Sequence, residues 1–412
     1  IEVIFLAADD HELGRQQRPA GSMMWWGLVQ EGLDAADIDH LQLITRLRVP
    51  ESGRFSVGTS GLGQFQLVID GEVLFDETIN LPPGADVVEG MMKPPQQLAV
   101  VELEADRDVP VELTYRPGGG GTELGGAEVV MLTVQLNVAP VIDEQAEFDH
   151  AVRLAAESDV AVVVVGTNEE VESEGFDRTS LALPGRQDDL VRAVAAANPR
   201  TVVVINSGAP VLLPWIDEVP TVLTSWFPGQ EFGNALADVL TGAVEPGGRL
   251  PVTWPASDEG LPSVTPVNGE LPYDEGMLIG YRWYLATGRM PAFPFGHGLG
   301  FTTWAYEDIA VDGDTVSVTV RNSGSRPGRE VVQVYARRPD SGVERAPLWL
   351  VGSAVVEAAA GETVNAVITV GDRNFRHWDS SAHAWITEPG TYQLLAGRSV
   401  TDLPLSAEIA RD

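Results

Sequence analysis

Five carboxylates, Glu169, Glu170, Glu172, Glu174 and Asp177, fall within nine residues beside Arg178. A general acid working at neutral pH must keep its proton longer than a solvated carboxylate does, and apolar surroundings provide that. Glu174 best fits the requirement. Gly175 after it permits a tight bend that aims the side chain outward, and Phe176 supplies an apolar neighbour. Asp177 and Arg178 are expected to pin the loop by pairing, and Asn168 and Glu170 to scaffold it. Read without its context, the same cluster is a solvated acidic loop.

Other chemistries find little material. The chain has no cysteine, so thiolate zinc sites, disulfides and cysteine nucleophiles are excluded. Six histidines are scattered without zinc spacing, His297 reads as a turn residue, and neither a metal nor a cofactor is expected. The glycines at 61–63 and 118–121 do not join a strand to a helix, so they make no phosphate cradle. With 60 acidic and 26 basic residues the formal charge is −34, and Lys93 is the single lysine. Such a surface repels nucleic acids and anionic membranes. No run approaches the roughly 20 apolar residues of a membrane span. The opening residues 1–8 resemble a strand rather than a leader peptide, as if the chain were a piece of something longer.

Three kinds of element are expected to position the acidic loop. Residues 1–140 carry short strands without helical period, clearest at 53–58, 64–69 and 72–75. Asp70-Gly71 between the last two is a tight-turn signal, and further strands are expected at 98–103, 109–115 and 129–138. Over 141–300 the pattern changes. Phe148, Ala151, Val152 and Ala155 share a helical face, and the apolar run 160–165 ends at Gly166 as a strand buried on both faces would. A helix at 190–197, strands at 201–205 and 222–226 and a helix at 232–240 continue an α/β layer with a mostly parallel sheet. The loop therefore leaves the carboxyl end of a strand, where open α/β sheets place functional segments. Residues 301–412 return to alternating strands, at 315–320, 331–335, 363–370 and 390–396, as in an immunoglobulin-like sandwich. The fold class is thus multidomain, α/β plus all-β.

The run Glu174-Gly-Phe-Asp-Arg178, with Leu181-Ala-Leu-Pro184 and Gln187, resembles glycoside hydrolase family three, the β-glucosidase and β-xylosidase family. So do Trp226-Phe-Pro-Gly-Gln230, Gly247-Gly-Arg-Leu-Pro251, Glu275-Gly-Met-Leu-Ile-Gly-Tyr-Arg282 and Phe293-Pro-Phe-Gly-His-Gly-Leu299, in order. Asn322-Ser-Gly324 and Glu330-Val-Val-Gln-Val-Tyr335 are similar to the family's fibronectin type III-like domain. Residues 1–140 resemble a protective-antigen-type sandwich inserted in the α/β domain.

The resemblance implies that Glu174 is the general acid/base of a retaining β-glycosidase acting on a β-glucoside or related glycoside. The nucleophile would then be an aspartate on a β/α barrel of ~250 residues. This chain has neither that barrel nor the Ser-Asp-Trp nucleophile motif. A barrel-bearing chain or segment is the implied partner, the chain alone is expected to be inactive, and a homo-oligomer is compatible. Trp25, Met91 and Met92 of the insert are candidates to stack on the aglycone, with burial in the sandwich core as their alternative. A non-catalytic carbohydrate-binding or assembly protein built from these domains is the rival reading, and a surface adhesion module a third.

Overall fold

Along Gly63–Ile69, Phe65, Leu67 and Ile69 point inward while Gln64 and Gln66 point out, so the period of two sorts the strand into an apolar and a polar face. Asp70 and Gly71, at φ 52° and 84°, turn it into Glu72–Ile79 with Ile69 opposite Glu72. Only residues tolerant of left-handed backbone close so tight a turn, which is why the dipeptide was legible in advance. This computed structural model describes residues 1–82, 90, 94–118, 122–124, 127–174 and 177–412.

The chain divides into two compact units, Ile1–Asp159 with Asn168–Arg178, and Val160–Thr167 with Thr179–Asp412. In the first unit a six-stranded antiparallel sheet runs in the order Glu12–Gln17, Glu2–Leu6, His40–Leu47, Val109–Pro117, Gly63–Ile69, Glu72–Ile79. A four-stranded sheet places Gln96–Leu103, Gly53–Gly61, Met131–Pro140 and Ser22–Trp26 side by side. Both sheets contribute to one core containing Phe5, Trp25, Leu43, Val57, Phe65 and Val134. Phe65 stacks on its register partner Tyr115, ring centroids 4.6 Å apart. The Tyr115 hydroxyl donates to the Leu62 carbonyl, and burial pushes its pKa up to about 12. The helix Glu144–Glu157 belongs to the same unit. Asp143 caps it by accepting from the Gln145 and Ala146 amides at 3.0 and 3.1 Å.

In the second unit Ala161–Gly166, Thr201–Asn206 and Thr221–Thr224 form a parallel sheet. Val191 and Val194 of the helix Gln187–Ala197 are buried, and the helix contacts the first two strands. One expectation fails here. The run 160–165 is covered on one face only: Ala161, Val163 and Val165 are buried, whereas Val162 and Val164 are 46% and 54% exposed. Valine on both sides of a strand signals two apolar faces but does not say whether this chain supplies both covers.

The rest of this unit ends in two antiparallel sheets. One is Trp304–Asp312, Thr315–Asn322, Thr363–Thr369; the other is Trp349–Ala358, Gly328–Arg337, Gly390–Gly397, Leu405–Arg411. Val316, Val318 and Val320 face Val332 and Val334 in their shared core. Fully buried Asn322 is a hub: its Nδ2 donates to the Arg326 and Ala358 carbonyls, and its Oδ1 accepts from Thr302 and the Gly324 amide.

Glu330, 2% exposed, sits between the Arg249 guanidinium and the Tyr306 hydroxyl, both at 3.1 Å. Burial raises the Glu330 carboxyl above its ordinary 4.5 despite the arginine. A carboxyl raised in the folded state favours folding most at pH below its unfolded value, and that favour is lost as pH climbs through the folded value. Glu330→Gln, which cannot titrate, is therefore expected to flatten the Tm-against-pH curve above pH 4.5. Thermal melts at stepped pH check this; a slope identical in both proteins removes Glu330 as its cause.

Candidate active site

The base of the acidic loop is built by close approach. Gly166 pairs with Asn206 at the last register position, and a Cβ there would collide with the Asn206 carbonyl. Gln187, the first residue of its helix, locks the same point. Its Oε1 accepts from the Gly166 amide at 2.7 Å, while its Nε2 donates to the Gly166 and Pro184 carbonyls at 2.9 and 3.1 Å. The Thr167 amide donates to the Asn206 carbonyl. Removing these bonds leaves the loop's origin loose and backbone groups unsatisfied. Gln187→Ala is expected to cost about 1–3 kcal/mol of stability, read as a lower denaturant midpoint, with Gln187→Glu intermediate.

Beyond Thr167 the loop folds on itself. Asn168 Oδ1 accepts from the Glu170 amide, and its carbonyl accepts from those of Val171 and Glu172 at 3.1 and 2.9 Å. Arg178 closes the loop on Glu172, Nη1 to Oε1 3.3 Å, with both side chains largely buried. Arg178 thus pins the loop as its type suggested, through Glu172. Glu174 follows as an exposed turn residue. Gly175 and Phe176, expected to bend and to flank it, lie outside the described residues.

The carboxyl end of the same sheet carries further unusual features. Trp226, two residues past Thr221–Thr224, sits at φ 54°, a strained conformation for so bulky a side chain. Its ring lies 5.8 Å from that of Trp254, whose indole N–H donates to the Val211 carbonyl. Asn206 Oδ1 and Thr224 Oγ1 are buried without a hydrogen-bond partner among the described residues. Buried polar atoms normally find partners, so two at one sheet end mark an incomplete environment.

The other candidates separate. Trp25 is 4% exposed, edge-on to Phe5 at 5.4 Å, under Arg18 and donating to Gln16 Oε1 at 3.1 Å; it occupies the core. Trp26 is the exposed member of the pair, at 53%. Met91 and Met92 lie outside the described residues. Among the described residues no hydrogen bond, ion pair or ring contact joins Trp25 to Glu174. His297 is held in a turn, its amide on the Pro294 carbonyl and its own carbonyl on the Leu250 amide. Sequence reasoning missed Gln187 as an anchor, although an amide side chain opening a helix next to a strand end was its visible signal. For the Trp226 backbone, nearby Gly229 was the only hint.

These features define a modular protein of two β-sandwiches and a parallel α/β layer, its acidic loop leaving the carboxyl end of the first parallel strand. Residues 86–301 match the glycosyl hydrolase family 3 C-terminal domain, and residues 330–400 a fibronectin type III-like domain. The chain belongs to glycosyl hydrolase family 3. It is 37% identical over 385 residues to beta-glucosidase B of Emericella nidulans, covering 87% of this chain and 45% of that protein. A beta-glucosidase of Rhizobium radiobacter is 36% identical over 404 residues, covering 94% and 48%. The crystal structure of a beta-glucosidase from Kluyveromyces marxianus in complex with glucose superposes with a TM-score of 0.86 at 28% identity. That match covers 100% of this chain and 49% of the other. The chain spans about half the length of the curated relatives it matches.

Proposed function

We propose that this chain is the acid/base-bearing half of a retaining β-glucosidase. The observation that carries the reading is the complete run Glu174-Gly-Phe-Asp-Arg178 on a loop leaving the carboxyl end of the first parallel strand. Glu174 protonates the glycosidic oxygen as the aglycone leaves, then takes a proton from the water that releases the sugar. The nucleophile is an aspartate on a barrel outside these 412 residues, at the ~5–5.5 Å separation that retention requires. A neutral β-glucoside suits the surface, because it meets no repulsion from the −34 charge.

Residues 1–140 act as the insert, 141–300 as the second part of the α/β domain, and 301–412 as the fibronectin-like domain. Within the insert, buried Trp25 supports the strand that turns Trp26 outward, and Met91 and Met92 are the aglycone-side contacts. The partner is the barrel-bearing segment, and it covers the bare valine face of Ala161–Gly166. The orphan Asn206 and Thr224 atoms support a missing neighbour at the sheet's end.

Hydrolysis of an alkyl β-glucoside tests the reading. The isolated chain is expected to show none, and adding or fusing a family barrel segment is expected to restore it. Turnover by the isolated chain, with its mass verified, refutes the divided site.

A further inference from the structure

Away from the acidic loop, a concave surface lies along the fibronectin-like sandwich. A hairpin of Arg376–Asp379 and Ala384–Thr387 places Trp378 directly opposite Trp385. Their rings stand 5.8 Å apart at 70°, and the residues are 49% and 62% exposed. Paired exposed indoles are costly to leave in water without a use. They border a groove of about 890 Å³ that continues past Trp349 and Asn374 to Arg282. Asp379 stiffens the turn by accepting from the Ser381 and Ala382 amides, both at 2.8 Å.

Arg282 and His377 also line the groove, and their Nε and Nδ1 atoms are buried from solvent without a hydrogen-bond partner among the described residues. A ligand hydroxyl can donate to or accept from the polar residues along the groove, among them Asn374, Ser380 and Ser381. The other cations are already neutralised: Arg376 pairs with Asp372 at 2.8 Å and Arg345 with Glu388 at 3.5 Å. Glu344 and Asp379 line the groove as well, so it offers no net field for an anion. Apolar ring faces beside polar side chains and balanced charge describe a site for a neutral polyhydroxylated ligand. Rings meeting at 70° form a corner, which suits one bent chain better than a flat crystalline surface.

We propose that this groove binds a single strand of a neutral β-linked glucan, stacking glucosyl faces on Trp378 and Trp385 and taking hydroxyl contacts from polar lining residues such as Asn374, Ser380 and Ser381. The choice of β-linked glucose rests on the β-glucosidase reading above. Binding is measured without turnover, so its failure is distinguishable from failure of the role given to Glu174.

Affinity electrophoresis of the 412-residue chain through gels containing barley mixed-linkage β-glucan tests it. The chain is expected to be retarded relative to gels without glucan. Trp378→Ala and Trp385→Ala are each expected to weaken binding by about tenfold, whereas Trp378→Phe keeps most of it. Both residues are exposed, so circular dichroism should confirm an unchanged fold. An unretarded parent chain, or equal retardation of parent and alanine variants, overturns the proposal. A changed oligomeric mass in the variants with unchanged glucan affinity also overturns it, making the corner a protein interface.

Discussion

Glu174→Gln in the barrel-completed enzyme is expected to lower the hydrolysis of alkyl β-glucosides by about 10²–10⁴-fold, the usual contribution of a positioned general acid. Glutamine has nearly the shape of glutamate but no transferable proton. Cleavage that depends on protonating a poor leaving group should therefore collapse. Dinitrophenyl glucosides, whose aglycones leave without help, should still form the glycosyl intermediate. Its release then becomes limiting, because no base remains to activate water, and a steady state should follow a burst. Azide needs no base and should restore turnover as a β-glucosyl azide. The fold is not at stake, since Glu174 is exposed and such substitutions usually change stability by about 0.5 kcal/mol or less. Equal activity of both forms on an alkyl glucoside removes Glu174 from the mechanism.

Val164→Asp is the second large effect, and its sign depends on what surrounds it. In this chain Val164 is 54% exposed, so the substitution should cost about 0.5 kcal/mol or less. If the barrel-bearing segment covers that face, the same carboxylate is buried without a partner, which costs about 3–5 kcal/mol. The expected result is an unchanged melt for the isolated chain and failed assembly with the barrel segment, read by native mass and by lost hydrolysis. Val163→Asp serves as the contrast. Val163 is already buried under the neighbouring helix, so that variant should destabilise the chain itself. Normal assembly of Val164→Asp would show that the valine face has no partner.

Legibility in the sequence followed how local each signal is. Asp70-Gly71 needed no knowledge of distant residues, because two consecutive positive φ angles select the pair by themselves. The pair Trp25 and Trp26 shows the opposite case. After Ser22 the strand Ser22–Trp26 reads Met-Met-Trp-Trp, one Met and one Trp on each face, so shifting the register by one exchanges the faces without changing the pattern. Only pairing with Met131–Pro140 settles that Met23 and Trp25 go in. The helix Tyr281–Thr287 was hidden inside a linker because seven residues are too few to display a period. Its limits are instead set by Gly280 and Gly288 at φ 57° and 67°. Strands Trp349–Ala358 and Leu405–Arg411 went unread because their apolar and small residues alternate weakly. As for the site, the acidic run and the type of Glu174 were visible. Its anchor Gln187 acts twenty-one residues from the Gly166 it holds, beyond any window of local pattern.

The path of the backbone between the two units has a topological result. It passes from one to the other after Asp159, after Thr167 and after Arg178. A protease nick anywhere in Asn168–Arg178 therefore cuts the chain without freeing either unit. The amino-terminal fragment keeps Ala161–Gly166, and that strand stays hydrogen-bonded to Thr201–Asn206 in the carboxyl-terminal fragment. Six residues of parallel pairing become a non-covalent tether. Such a nicked protein would migrate as one species under native conditions and as two in denaturant.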